Sequence, residues 1–352
     1  MSAASAKPAI EDPKLDAWLR SELDRFEAEQ LDAKAEHKLK PLRVYELGAF
    51  IALDIPPREE ILAPWLLSQS LNMVYSWRGV GKTHFVLGVA YAVASGGEFL
   101  GWQAPIPQPV LYLDGEMPAA ALQERLARIV QSAEKEAQPE MLRIVTPDMQ
   151  DGAMPDLATS EGQAQINAIL SGSKLVIVDN LSCLVRRGGK ENEAESWLSV
   201  AEWALALRQR GIAVLFVHHA GKNGQQRGTS KREDLLDTVI TLKRPPEYQP
   251  AHGAAFEVHF EKSRALVGSD VQPFEAALTM DADDRATWAI RQIEDSTLDR
   301  VVRLAGEGLK RHEIADELGL NRSSVTRAWR KAQTRGLIQA DKKRGKPNRG
   351  AA

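Results

Sequence analysis

Between an apolar run at 71–75 and a helical pattern at 84–94 stand Ser76-Trp77-Arg78-Gly79-Val80-Gly81-Lys82-Thr83. Glycines at this spacing let backbone N–H groups close on phosphates, and a helix starting directly behind them adds the positive end of its dipole. Gly79, Val80, Gly81, Lys82, Thr83 and His84 are therefore the expected phosphate contacts, with Lys82 on the β- and γ-phosphates and the Thr83 hydroxyl on Mg²⁺. Ser76 departs from the pattern, since such loops usually open on glycine. A second apolar run, 175–178, ends in Asp179, the carboxylate needed to hold a Mg²⁺-bound water behind the γ-phosphate. The run at 110–113 ends in Asp114-Gly115-Glu116-Met117. A carboxylate there, on a strand expected beside the phosphate-loop strand, can take a proton from an attacking water. Glu116 is the chosen base and Asp114 the competing one. The run at 213–217 ends in His218-His219. Strand alternation points these two oppositely, so His219 is assigned to the γ-phosphate and His218 to the core. The predicted chemistry is Mg²⁺-assisted hydrolysis of ATP.

Those residues need a scaffold whose strand ends converge. Short apolar runs alternate with helical segments from 71 to about 292, and further strands are expected at 238–242, 255–260 and 287–290. This is the pattern of an α/β domain with a mostly parallel sheet and crossover helices, whose ligands bind at the carboxyl ends of the strands. Ahead of it, Leu15, Leu19, Leu23 and Phe26 recur at helical spacing within 13–40, predicting an amphipathic helix, and Pro56, Pro57 and Pro64 punctuate the approach to the first core strand. At 352 residues and 43% hydrophobic, the chain can build one large core and a small appended module. No apolar stretch approaches the ~18 residues of a membrane span, and the first residues lack the apolar centre of a signal peptide. With Cys183 the single cysteine, no intrachain disulfide or cysteine zinc cluster can form, so a cytoplasmic protein without membrane association is expected.

The ordered set GVGKT, LYLDGEM, LVIVDN and FVHHAGK resembles the RecA-like hexameric helicase superfamily, especially RepA-type plasmid replicative helicases and more distantly DnaB. The resemblance covers roughly 41–292. It implies a RecA-like P-loop NTPase core, a homo-oligomeric ring with a hexamer as the expected state, and active sites between subunits. By the same resemblance, Phe260-Glu261-Lys262-Ser263-Arg264 looks like the family's K-x-R element, with Arg264 the arginine finger and Lys262 its partner. Two basic loops would face a channel holding single-stranded DNA, one carrying Arg186, Arg187 and Lys190 and the other Lys222 and Arg227. Neither has an aromatic stacking platform, so their grip would fall on the phosphate backbone. The N-terminal helix packs on its own domain or, in a ring, on the neighbouring subunit.

The chain's net charge of −3 conceals a basic end, because residues 296–352 hold 14 Lys/Arg against 6 Asp/Glu. Within it, Ala315, Gly319 and Val325 fall at helix-turn-helix spacing, Asn321 can cap the second helix, and Leu318, Val325 and Ala328 can bury the seam. Arg322, Ser323, Ser324, Thr326, Arg327 and Arg330 would then face duplex DNA in a major groove. Arg335-Gly336-Leu337-Ile338 resembles the start of a winged-helix hairpin. The expected organisation is an N-terminal helix and linker (1–40), a RecA-like ATPase domain (41–294), a small all-α helix-turn-helix domain (295–340) and a basic tail (341–352). Three functions compete: a ring-forming DNA helicase or translocase serving a plasmid or mobile element; an ATP-controlled, sequence-specific DNA-binding regulator or replication initiator that does not unwind DNA; and a KaiC-like or recombination ATPase, for which tandem domains and a zinc motif are missing.

Overall fold

The computed structural model describes residues 13–32, 42–186, 193–220, 234–245, 248, 253–281 and 285–338. Contacts divide the chain into two compact units, residues 1–57 and 58–352. The first holds helices α1 (Pro13–Asp32) and α2 (Leu47–Ala52). Leu15, Leu19 and Leu23 lie on the half-buried face of α1, and the Trp18 indole fills the space that a side chain at Gly48 would occupy.

The second unit opens with a short hairpin, β1 (Glu60–Leu62) and β2 (Leu66–Leu67), then runs β3 (Leu71–Ser76), α3 (Lys82–Ser95), a second hairpin of β4 (Glu98–Phe99) and β5 (Trp102–Gln103), β6 (Val110–Asp114), α4 (Ala119–Ser132), β7 (Leu142–Val145), α5 (Ser160–Ile169), β8 (Leu175–Asp179), α6 (Leu181–Leu184), α7 (Glu193–Gln209), β9 (Ala213–His219), β10 (Thr238–Lys243), β11 (Ala255–Ser263), β12 (Phe274–Met280) and β13 (Ala286–Gln292). Among the described residues, nine strands form one sheet in the order β13-β12-β11-β10-β3-β9-β8-β6-β7. The six from β10 to β7 are mutually parallel, and β11 to β13 continue as an antiparallel meander. β3 and β8 are buried at every position and β9 at all but its last, which is why they read as unbroken apolar runs: helices cover both faces of a parallel sheet.

One expectation about the sheet is corrected. β6 is not beside β3; it pairs with β8, and both β9 and β8 intervene. The long α7 crossover returns the chain to insert β9 next to β3, an order that run spacing alone does not encode. β7 and β12 are also additions. β7 is a four-residue edge strand carrying Arg143, and the apolar run of β12 is broken by Glu275, which is buried against Arg300 and Arg291.

Helix α3 is buried on nearly all sides, as expected of a helix apolar around its whole circumference. Phe85 meets Phe99, Trp102 and Phe256 edge-on at centroid distances of 5.7, 5.8 and 5.9 Å. Gly88 lets the Phe99 ring reach the α3 backbone, since a Cβ there would lie 2.1 Å from the ring.

The end of the chain forms three helices, α8 (Ile293–Gly306), α9 (Arg311–Glu317) and α10 (Arg322–Thr334), around Val301, Leu304, Ile314, Ala315, Leu318, Val325 and Ala328. Gly319 takes a left-handed φ of 60° in the turn from α9 to α10, and the Asn321 side chain caps α10 by accepting from Ser324 N at 2.8 Å. Residues 339–352, and with them the basic tail and any wing, lie outside the described residues. Among the described residues no helix is long and apolar enough to cross a membrane.

Gly88→Ala tests the packing of α3. Alanine favours an isolated helix by about 1 kcal/mol, but the collision with Phe99 is expected to dominate and cost about 1–3 kcal/mol. A lowered urea midpoint is the expected reading, and an unchanged or raised midpoint would show that the ring gives way freely.

Candidate active site

Because β3, β9, β8 and β6 run parallel, their carboxyl ends open on the same side of the sheet, and a cleft of about 600 Å³ lies there. The loop after β3 has the backbone that its glycines permit, with φ of 73° at Gly79 and 124° at Gly81. Ser76 needs no such conformation: it ends β3 in an extended strand, fully buried. Its hydroxyl donates to Trp77 O at 2.8 Å and stands 3.2 Å from the Lys82 ammonium. Lys82 Nζ also reaches Ser76 O and Trp77 O at 3.2 and 3.1 Å. Burial lowers its pKa to about 8, against the nearby carboxylates of Asp179 and Glu116.

Asp179, at the tip of β8, accepts from Tyr112 Oη at 2.6 Å, and the Thr83 hydroxyl stands near enough to favour its charged form. Burial pushes its carboxyl up to about 6, and the Asp114 charge adds to that, while the Tyr112 bond, the Thr83 hydroxyl and the Lys82 cation oppose it. Burial also raises Asp114, although Met117 N, Glu116 N and the Thr146 hydroxyl all donate to it, at 3.2, 3.3 and 3.0 Å. Asp114 therefore folds the turn that carries Glu116. Glu116 itself projects into the cleft with its side chain 58% exposed. Asn180 Nδ2 donates to Glu116 Oε2 at 2.5 Å, and His219 Nε2 stands 3.8 Å from the same oxygen. Burial, then the Lys82 charge, lowers the His219 pKa, so the ring is neutral, and its Nδ1 has no hydrogen-bond partner among the described residues.

Gly79, Val80, Gly81, Lys82, Thr83, His84, Glu116, Asp179 and His219 thus all line one cleft, whereas His218 is buried one strand position earlier. Lys262 and Arg264 do not join them. They stand beside the Asp234 carbonyl, at 3.5 and 2.6 Å, where β11 pairs with the start of β10, at the opposite end of the parallel strands. Arg186 is exposed, its backbone N donating to Asp156 and its Nε to Cys183 O at 2.9 Å. Arg187, Lys190, Lys222 and Arg227 lie outside the described residues. On α10, Arg322, Ser323, Thr326, Arg327 and Arg330 line one shallow groove of about 410 Å³. Ser324 is not among those lining residues: at 100° per residue it lies towards the side of Val325 and Ala328, and its backbone N–H donates to the Asn321 cap.

Several site residues escaped the sequence reading. Tyr112 and Thr146 sit on or beside β6 and β7 in positions where any strand residue would pass unnoticed. Asn180 directly follows Asp179, and an amide at that place was the available signal. Arg244, just past β10, donates to Gly79 O at 3.0 Å and lies 4.7 Å over the Tyr248 ring, so the phosphate loop is braced from the neighbouring strand.

The donor set fits a magnesium nucleoside triphosphate. No group of three or more His, Cys, Asp or Glu that could hold a metal occurs among the described residues, and Mg²⁺ needs none, since one or two protein oxygens plus substrate phosphates suffice. Thr83 and Asp179 are the residues that would supply those oxygens. Loop, buried lysine, strand-tip carboxylates and neutral histidine together define a P-loop nucleotide-binding domain.

The chain belongs to the AAA domain family AAA_25, whose model matches residues 35–225, more than half of its length. It therefore carries an ATPase domain. Among solved structures, a KaiC-like protein from the hyperthermophilic archaeon Pyrococcus horikoshii is similar at 14% identity and a TM-score of 0.46, over 65% of this chain and 93% of that one.

Two of the shifted groups, Asp179 and Lys82, set a pH window. Asp179 must be ionised to hold a metal-bound water, and it gains a proton as pH falls through about 6; Lys82 must be charged, and it loses its proton as pH rises through about 8. Affinity for magnesium with a hydrolysis-resistant ATP analogue is expected to peak between those values and to fall by up to about tenfold per pH unit beyond each. Equilibrium titrations across the range read this directly. Asp179→Asn should flatten the acid limb alone, and an acid limb that survives the substitution would contradict the assignment.

Proposed function

We propose that the protein is a ring-forming, Mg²⁺-dependent ATPase that works as a DNA helicase or translocase of the RepA type, in replication of a plasmid or mobile element. The observation that carries this reading is the presence in one chain of a hydrolytic cleft with a strand-tip base and of an arginine-lined groove on a capped helix. Glu116 takes a proton from water as its oxygen attacks the γ-phosphorus; the bond from that phosphorus to the β–γ bridging oxygen breaks, and ADP and phosphate leave. Asn180 orients the Glu116 carboxylate. Lys82 and the neutral His219 donate to phosphoryl oxygens, where fixed dipoles and charges stabilise developing charge without reorganising. Thr83 and, through water, Asp179 would hold Mg²⁺, which would supply neutralisation of phosphate charge.

Lys262 and Arg264 lie too far from their own chain's cleft to act in it, so their proposed place is the cleft of an adjacent subunit, in a hexamer. Single-stranded DNA passes through the channel, held by Arg186, Arg187, Lys190, Lys222 and Arg227, and His219 relays loss of the γ-phosphate to the loop after β9. The α8–α10 unit acts as a helix-turn-helix that brings the ring to duplex DNA through Arg322, Ser323, Thr326, Arg327 and Arg330.

A strand-displacement assay tests the proposal. Wild-type protein is expected to unwind in the presence of ATP and to hydrolyse faster with single-stranded DNA, and Lys82→Ala to do neither. Glu116→Gln should retain ATP binding while kcat falls about 10²- to 10⁴-fold. Brisk hydrolysis with neither unwinding nor translocation would overturn the helicase assignment. The α10 groove favours the second reading in that event, an ATP-controlled DNA-binding regulator or replication initiator. Slow turnover with tight, sequence-specific duplex binding is its signature.

A further inference from the structure

Glu116 reaches into the cleft from a segment that is neither strand nor helix. Asp114 ends β6, Ala119 begins α4, and Gly115, Glu116, Met117 and Pro118 bridge them. The Glu116 side chain is long and more than half exposed, so the place of its carboxylate depends on where this backbone is held.

The segment is gripped from two sides. On the side of β8, Gly115 N donates to Asp179 O at 2.7 Å, and a Cβ at Gly115 would lie 2.9 Å from atoms of Cys183 and Leu184, so the turn rests directly on α6. On the side of β7, residues just past that strand hold both ends of the segment. The Thr146 hydroxyl donates to Asp114 Oδ2 at 3.0 Å, and the Asp148 carboxylate, in the 3₁₀ turn Pro147–Met149, accepts from Ala119 N at 2.8 Å.

Of these two bonds, that of Thr146 bears more closely on Glu116. Asp114 is buried, and its Oδ1 accepts from Glu116 N at 3.3 Å and from Met117 N at 3.2 Å, both long for an N–H···O bond. Those two donors belong to the turn itself and follow the Asp114 carboxylate if it rotates. The Thr146 hydroxyl comes from 32 residues further along the chain, is closer than either, and fixes the plane of the carboxylate around which the turn is folded. Thr146 is buried and anchored in its own right, its carbonyl accepting from Met149 N at 3.3 Å and from Gln150 Nε2 at 3.2 Å. Asp114 and Glu116 line the cleft, whereas Thr146 stands behind them and is not among the lining residues.

We propose that Thr146 is a positioning residue for hydrolysis: by fixing the Asp114 carboxylate it holds the turn that places Glu116 against the terminal phosphate. The inference rests on Glu116 being the base of the ATPase. Its effect falls on the chemical step and not on nucleotide affinity, because displacing a reacting group by about 1 Å can cost about a hundredfold in rate.

The test measures, on the full-length protein, single-turnover hydrolysis of ATP with Mg²⁺ and the dissociation constant for a hydrolysis-resistant ATP analogue. Thr146→Val keeps the shape and removes the hydroxyl; it is expected to lower the single-turnover rate about ten- to hundredfold and to leave the dissociation constant within about twofold of wild type. Thr146→Ser, which keeps the hydroxyl, should retain most of the rate. Thr146→Ala set against Thr146→Ser gives the same comparison if the valine variant does not fold. A threonine that merely supported the fold would slow every background alike, whereas one that acts through Glu116 has nothing left to place once that carboxylate is gone. Adding Thr146→Val to Glu116→Gln should therefore change the rate by less than about twofold. A wild-type rate in Thr146→Val, a serine variant as slow as the valine one, a loss of affinity as large as the loss of rate, or an equal loss in the Glu116→Gln background would each overturn the proposal while leaving the base assignment standing. A wild-type rate in Glu116→Gln would overturn both.

Discussion

Lys82 and Asp179 are both held almost entirely out of water at the carboxyl ends of parallel strands. Such burial is unfavourable for each charge by several kcal/mol before its partners are counted. Each shows the strain of it, the lysine losing basicity and the aspartic acid losing acidity. The fold accepts this because parallel strands must end together. Whatever charge is placed at one tip faces charge at the next, and a metal-bound triphosphate between them would satisfy both, its phosphates pairing with the lysine and its metal with the aspartate. The loop glycines, the Tyr112 bond to Asp179 and the Asn180 bond to Glu116 all hold groups in readiness for that ligand.

The same sheet connects the cleft to the C-terminal helices. β12 carries Glu275, which is buried between Arg291 of β13, at 2.7 Å, and Arg300 of α8. Removing one member of such a buried set strands the others, so the contact fixes α8 against the meander more firmly than its area would. The meander in turn reaches the cleft, since Leu278 of β12 is among the lining residues. A contiguous path of packed strand and ion pair therefore runs from the nucleotide end of the sheet to the helices that bear the arginine groove.

Much of this was legible in the sequence for physical reasons. Strands buried on both faces must be apolar throughout, so β3, β6, β8 and β9 announced themselves, and a loop that wraps phosphate needs glycine at positions such as Gly79 and Gly81. Asn321 and Gly319 were readable because a helix cap and a left-handed turn restrict residue type. The strand order was not, because nothing in a run of apolar residues says which neighbour it will pair with; hence β6 was expected beside β3. β12 was hidden by Glu275, a charge whose partners lie 16 and 25 residues further on. Ser324 looked like part of the exposed face until its place around α10 turned it towards the core.

The most direct test of the convergence of strand tips on one ligand is a structure determined with Mg²⁺ and a hydrolysis-resistant ATP analogue. The phosphates should lie within the loop from Gly79 to Thr83, the metal between Thr83 and Asp179, and Glu116 and His219 against the terminal phosphate. Phosphates bound elsewhere, or a terminal phosphate out of reach of Glu116, would contradict the convergence from which the rest is derived.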